Sequence, residues 1–249
     1  MLVATLVCAG FAGNGIMIDR AFDIVEKEGY NLVVQQDGPT LGYSPDSGVK
    51  IITVDGLPFK DLNRNGKLEP YEDWRLPAAE RARDLASRLT IEEIAGLMLY
   101  SGHQPVPQTA GTVYGGKTYK DSGVQPWELT DVQRAFLEND NVRAVLVTKV
   151  ESPATAARWN NKVQALVEGL GHGIPANNSS DPRNETATAD EFLAGAGGQI
   201  SLWPRPIGLG AIMDPELVRR FGEIASREYR ALGITTALSP QVDLATDPR

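Results

Sequence analysis

Oxygen-bearing side chains recur at alternate positions in the stretch DLNRNGKLEPYEDWR, residues 61–75. Asp61, Asn63 and Asn65 fall at positions one, three and five of a twelve-residue calcium loop, Gly66 at the sharp turn of position six, and Glu72 at position twelve. Lys67 stands where only a backbone carbonyl is required. Ca2+ takes six to eight hard oxygen ligands, and one chain can converge on it only if alternate side chains point inward while a glycine lets the backbone reverse. The expected metal site is therefore Asp61, Asn63, Asn65, Lys67 and Glu72, holding a structural Ca2+. The alternative is an Asn-Gly turn leading into a helix start near Pro70. A full EF-hand is not expected, because KIITVDGLPFK, residues 50–60, is β-branched with a Gly and a Pro and reads as a strand and turn.

Further chemistry belongs on loops beyond the carboxyl ends of parallel strands. Three segments qualify: 149–152, 177–183 (NNSSDPR) and 240–249 (PQVDLATDPR). In the second, Asp181 could accept a pair of vicinal hydroxyls from a sugar while Arg183 offers a fork of donors. Against this stands a plain turn or helix cap at Asp181-Pro182. Asp243 and Asp247 could be a carboxylate pair for glycoside hydrolysis, which needs two carboxyl groups about 5–9 Å apart. They equally suit a second sugar clamp or a loop anchor. Trp203 could stack on a sugar face or simply pack. His172, between Gly171 and Gly173, reads as part of a helix stop, and His103 is isolated. Two histidines and one cysteine, Cys8, leave no His-rich zinc centre and no intrachain disulfide. A net charge of -8 disfavours binding to a phosphate backbone.

The elements that must position these residues alternate between strand and helix. A chain of 249 residues, 42% hydrophobic and 22% charged, suits one sizeable core or a β/α barrel of about 250 residues. Residues 1–13 (MLVATLVCAGFAG) are apolar and uncharged, which suits a signal-type segment or a buried first strand. No later stretch is long and apolar enough to span a membrane. Residues 14–50 hold a helix-like IDRAFDIVEKEG and DGPTLGYSPDSG, which reads as a linker or surface loop. Helices are expected after Leu76-Pro77, with Leu85 and Leu89 sharing a face, and after the capping boxes Thr90/Glu93 and Thr130/Gln133. Two more are expected from Ser152-Pro153 to about Leu170, stopped by Gly171, and from Asp214-Pro215 to Leu232, with Leu217, Phe221 and Ile224 on one face. Residues 142–148 (VRAVLVT), 174–178 and ITTALS read as strands, and 102–126 as a long polar loop. Short connections imply parallel pairing through right-handed crossovers, in an incomplete barrel or a smaller open sheet.

Several separated motifs, DLNRNGKLEPYEDWRLPAAERARDLASRLTIEEIAGLM, GIPANNSSDPR and ISLWPRPIGLGAIMDPELVRRFGEIASREYRALGITTALSPQVDLATDPR, resemble in order the amino-terminal part of glycoside hydrolase family 3. The resemblance runs from about residue 50 to the end. It implies an α/β fold, an incomplete (β/α)8-like (TIM-type) barrel with an N-terminal extension. With the composition reading of residues 1–13 as a signal peptide or a buried first strand, the expected division is 1–13, then 14–50 as an N-terminal extension or linker, and 51–249, which the resemblance makes the N-terminal portion of the barrel domain. The resemblance also implies retaining, exo-acting hydrolysis of terminal β-linked sugars, with Asp181 matching the family's residue that binds the sugar hydroxyls. The segment 176–183 departs from the common pattern, lacking the usual Gly and His neighbours and following a Ser-Ser-Asp-Pro-Arg variant, which leaves the role of Arg183 less defined.

In the family, the motif begun by Asp247-Pro248-Arg249 runs on to further sugar-contacting residues, the nucleophilic Asp and the acid/base Glu. The expectation is thus a fragment of a secreted or periplasmic β-glycosidase, inactive by itself, that takes an oligosaccharide or β-glucoside and no nucleic acid. The 61–72 loop would brace the entrance to the barrel. A non-catalytic, calcium-dependent carbohydrate or protein binding module is the alternative. A metal-dependent barrel hydrolase is disfavoured by the histidine count.

Overall fold

The computed structural model describes residues 22–181, 184 and 199–238. The expectations for residues 1–13, Cys8, Arg183, Asp243 and Asp247 lie outside the described residues.

The chain opens on a small antiparallel sheet of β1 (Phe22–Lys27), β2 (Tyr30–Gln35) and β3 (Leu41–Tyr43). This corrects the helix expected from IDRAFDIVEKEG. Lys27 faces Tyr30 across Glu28-Gly29, and Gly29 takes φ 81°, the left-handed geometry that a two-residue hairpin requires. With that turn set, Ile24 pairs with Val33, which is fully buried, and cross-strand packing overrides local helical character. The linker expected over DGPTLGYSPDSG is also corrected. Ser44 and Ser47 are buried there, and the Ser44 amide donates to Glu168 Oε2 at 2.7 Å. Glu168 Oε1 also pairs with Lys60 Nζ at 2.7 Å, so one buried carboxylate fastens the extension to the main body.

Strands β4 (Lys50–Val54) and β5 (Leu57–Asp61) form a hairpin turning at Asp55-Gly56, where KIITVDGLPFK reads as one strand and a turn. Helices α1 (Ala78–Ala86) and α2 (Ile91–Leu97) follow, and α2 carries the reciprocal Thr90/Glu93 capping box. Next come β6 (Tyr100–Val106), the small hairpin of β7 (Val113–Tyr114) and β8 (Lys117–Thr118), and α3 (Tyr119–Ser122). Helix α4 (Asp131–Glu138) is capped by Thr130 and Gln133. The chain continues through β9 (Ala144–Val150), α5 (Pro153–Glu168), β10 (Asn177–Ser180), α6 (Pro206–Ile212), α7 (Pro215–Ala231) and β11 (Thr236–Ala237). Ser152 and Asp214 cap α5 and α7, each with Pro at the first helical position.

The main sheet has the order β11-β10-β9-β6, with every pairing parallel. Among the strands of this sheet, each is laid beside the one before it in the chain, which is how a (β/α)8-type barrel winds; a doubly wound sheet reverses direction. The fold is an incomplete barrel, four-stranded and unclosed among the described residues. Its core joins Val145 and Val147 of β9 to Trp159, Val163 and Val167 of α5, Leu137 of α4 and Ile234 before β11.

Two strands differ from the sequence reading for a shared reason. β6 runs from Tyr100 into the beginning of the stretch assigned to a long loop, and β10 is displaced from 174–178 to 177–180. Neither shows apolar alternation. In β10, Ser179 and Ser180 are fully buried and donate to the carbonyls of Val145 (3.2 Å) and Val147 (2.8 Å) on β9. A hydroxyl satisfied by a neighbouring strand can occupy a barrel interior as an aliphatic group does. β6, with Gly102, His103 and Pro105, pairs with β9 through two register irregularities.

Candidate functional site

Asp181 is the first residue beyond β10, at the carboxyl end of the parallel sheet, and is half-buried. The register of β10 is set on both sides, Ser179 facing Leu146 of β9 and Thr236 of β11. A hydrogen bond between Ser179 Oγ and Tyr100 Oη reaches the start of β6. The Asp181 carbonyl accepts from Tyr229 Oη at 2.6 Å, so α7 holds the backbone from which the carboxylate projects. Beyond Asp181, Asn184 is almost fully buried and donates through Nδ2 to the Ser201 carbonyl at 3.1 Å and to Glu228 Oε2. This arrangement can present a carboxylate to hydroxyls at the mouth of the sheet. Neither Tyr229 nor Glu228 was singled out from the sequence. Both lie on a helix chosen for its apolar spacing, and polar residues on such a helix carry no signal of what they will touch.

Other residues named from the sequence separate. Trp203 donates through Nε1 to Ser201 Oγ at 2.9 Å and packs against Phe221 at 5.2 Å between ring centroids, a packing role. His172 lies between α5 and β10, 5.9 Å edge-on from Tyr71, with Nδ1 buried and unbonded. His103 sits on β6 opposite Leu146. In the segment 149–152, Ser152 caps α5 and Glu151 accepts from Thr155 Oγ1 at 3.0 Å.

The 61–72 loop closes tightly on its own backbone. Asp61 accepts from the amides of Asn65 (3.0 Å) and Gly66 (2.9 Å), with Gly66 at φ 77°. Glu72, 4% exposed, accepts from Leu62 (2.8 Å), Asn63 (3.2 Å) and Glu69 (3.0 Å). Glu69 accepts from the side-chain amides of Asn63 (3.1 Å) and Asn65 (2.6 Å). Burial pushes the Glu72 carboxyl up, since desolvation penalises the charged form more than the surrounding N–H donors favour it. Burial acts the same way on Glu69, but its bonds to Asn65, Glu72 and Asn63 and the charge of Arg88 outweigh it and hold that carboxyl low. The buried Tyr71 hydroxyl is pushed up, first by desolvation and then by the Glu72 charge.

Among the described residues, no three His, Cys, Asp or Glu side chains converge to hold a metal ion. A cation here would have to combine the carboxylates of Asp61 and Glu72 with the amide oxygens of Asn63 and Asn65 and the Lys67 carbonyl. An ionised carboxylate has about four lone-pair sites. Asp61 uses two of them and Glu72 three on backbone amides, so each keeps acceptor capacity.

The loop also meets the connection that leads from α5 to β10. Arg64, at φ 61°, donates to the carbonyl of Gly169 at 2.6 Å, where α5 ends. Leu62 packs against Gly173, where an added Cβ would lie 2.9 Å from Leu62 Cδ2. The contacts at 169–173 fix the entry to β10.

Residues 109–249 match the family model for the glycosyl hydrolase family 3 N-terminal domain. The chain is 48% identical over 207 residues to a periplasmic beta-glucosidase/beta-xylosidase of Dickeya chrysanthemi, covering 81% of this chain and 29% of that protein. It is 33% identical over 186 residues to a probable beta-glucosidase C of Aspergillus oryzae, covering 75% of this chain and 27% of the relative. With beta-glucosidase C of Emericella nidulans it shares 34% identity over 189 residues, 76% and 28% of the two chains. The matched region thus spans less than a third of each of these relatives. No helix among the described residues is long and apolar enough to cross a membrane.

Proposed function

The chain belongs to glycosyl hydrolase family 3, and we propose that it supplies the sugar-holding part of a retaining, exo-acting β-glycosidase. The observation that carries this reading is the place of Asp181 at the carboxyl end of β10, its backbone tied to α7 through Tyr229. Asp181 accepts hydrogen bonds from vicinal hydroxyls of the terminal non-reducing sugar. Arg183 adds donors to the same ring. Charge-assisted bonds of this kind are worth about 1.5–3 kcal/mol each, enough to orient a small neutral ligand in water.

Retaining hydrolysis needs two carboxyl groups about 5–5.5 Å apart, one attacking the anomeric carbon and the other protonating the leaving oxygen. Family resemblance assigns both to motifs that follow the segment matched by this chain. A polypeptide of these 249 residues therefore gives no turnover on an aryl β-glucoside. Turnover abolished by Asp243→Asn would overturn that statement, because Asp243 would then be acting in catalysis. The ligand class is a β-glucoside or short β-linked oligosaccharide, and the compartment is periplasmic or extracellular, in keeping with the name of the Dickeya relative.

The 61–72 loop takes a structural role, bracing the approach to β10, and binds Ca2+ through Asp61, Asn63, Asn65, Lys67 and Glu72. Melting in Ca2+ and in chelator tests this: a bound ion at a hundred times its Kd stabilises by about 2.7 kcal/mol. An unchanged midpoint excludes the ion and leaves the brace resting on its hydrogen bonds.

A further inference from the structure

We propose that Glu228 is a positioning residue for the sugar-binding segment, gathering two distant parts of the chain beside Asp181. This rests on the reading of Asp181 as a sugar ligand. Glu228 lies near the end of α7 and is only half-exposed. Its Oε2 accepts from Asn184 Nδ2 and from Ser201 Oγ at 2.8 Å, and its Oε1 accepts from the Ser201 amide at 2.9 Å. Asn184 and Ser201 are seventeen residues apart and also bond to each other at 3.1 Å. The Asn184 carbonyl accepts from the Trp203 amide at 2.7 Å, and the Trp203 indole N–H returns to Ser201 Oγ at 2.9 Å. The next residue on the same helix, Tyr229, holds the Asp181 carbonyl. Consecutive side chains of α7 therefore fix residues 181, 184 and 201 together.

A carboxylate suits this junction because it is acceptor-only, and each group facing it here can donate. An amide at the same place keeps the Ser201 N–H bond through its oxygen but turns an NH2 toward Asn184 Nδ2, setting donor against donor. Glu228→Gln thus cuts the Asn184 tie with little change in volume. Tyr229→Phe removes only the hydroxyl on the Asp181 carbonyl and serves as the second variant.

The test measures hydrogen exchange and the binding of methyl β-D-glucopyranoside to the 249-residue chain. In Glu228→Gln, amide exchange should rise roughly tenfold at Trp203, whose N–H donates to the Asn184 carbonyl, the fold-change expected from one lost charge-assisted bond, while β9 and α5 stay protected. Glucoside binding should weaken by a similar factor with nearly unchanged melting. Unchanged exchange at Trp203 overturns the positioning role, whether or not the chain binds sugar. Raised exchange with undiminished glucoside binding overturns its link to the ligand. A parent chain that binds no glucoside contradicts the proposed function, while the exchange result still decides the role of Glu228.

Discussion

Replacing Glu72 by Gln probes the brace at a buried charge. The carboxylate accepts three backbone N–H bonds, from Leu62, Asn63 and Glu69, at 2.8, 3.2 and 3.0 Å. Glutamine offers one acceptor oxygen. If that oxygen keeps Leu62 and Asn63, the NH2 group faces the Glu69 amide, which loses its partner in a site 4% exposed. An unsatisfied buried donor costs about 1–3 kcal/mol, and weakening the two remaining charge-assisted bonds adds about 1 kcal/mol. Relief of the desolvation that pushes the Glu72 carboxyl up offsets part of this. The net expectation is a loss of about 1–3 kcal/mol. For a domain of this size that lowers the melting midpoint by about 2–12 °C. Circular dichroism melting in chelator isolates the hydrogen-bond contribution from any effect of a cation. A midpoint within 1 °C of the parent chain would refute the view that this carboxylate organises the loop.

Other perturbations test the same frame. Gly173→Ala places a methyl group 2.9 Å from Leu62 Cδ2 at φ 66°, and should cost about 1–3 kcal/mol by denaturant titration. Leu137→Ala opens a cavity at a fully buried site of α4 and should cost about 2–5 kcal/mol in the same assay. The Arg75 side chain, assisted by the Arg75 amide, holds the Asp73 carboxyl below the usual carboxylate range. A depressed folded pKa contributes stability above the unfolded value, near pH 4, and loses it as pH falls through the lower folded value. Asp73→Asn should therefore reduce stability at neutral pH and flatten the acid limb below about pH 4, measured as midpoint against pH.

The helices were the legible part of this chain. Thr90/Glu93, Thr130/Gln133, Ser152 and Asp214 all cap helices, because capping is settled between residues two or three apart. Strands were harder. β10 is built from Asn and Ser whose partners lie on β9 and α5, and β6 carries Gly, His and Pro in positions that only pairing with β9 makes extended. The hairpin at residues 22–35 was hidden by a locally helical sequence that Gly29 reverses. At the site, Asp181 stood out by its place just past a strand and was raised above a plain turn by family resemblance, while its anchor Tyr229 is visible only once α7 is folded against β10. Asp61 and Glu72 follow their loop spacing, yet the spacing did not reveal that Arg64 and Leu62 would reach the end of α5 and the connection that follows it.

The central claim is that Asp181 holds a sugar, and saturation-transfer difference NMR with methyl β-D-glucopyranoside tests it most directly. The 249-residue chain should transfer saturation to the ring protons, and Asp181→Asn should reduce affinity roughly tenfold or more, the loss of one charged acceptor facing two hydroxyls. Equal transfer from the parent and Asp181→Asn chains, with both folded, would contradict the account.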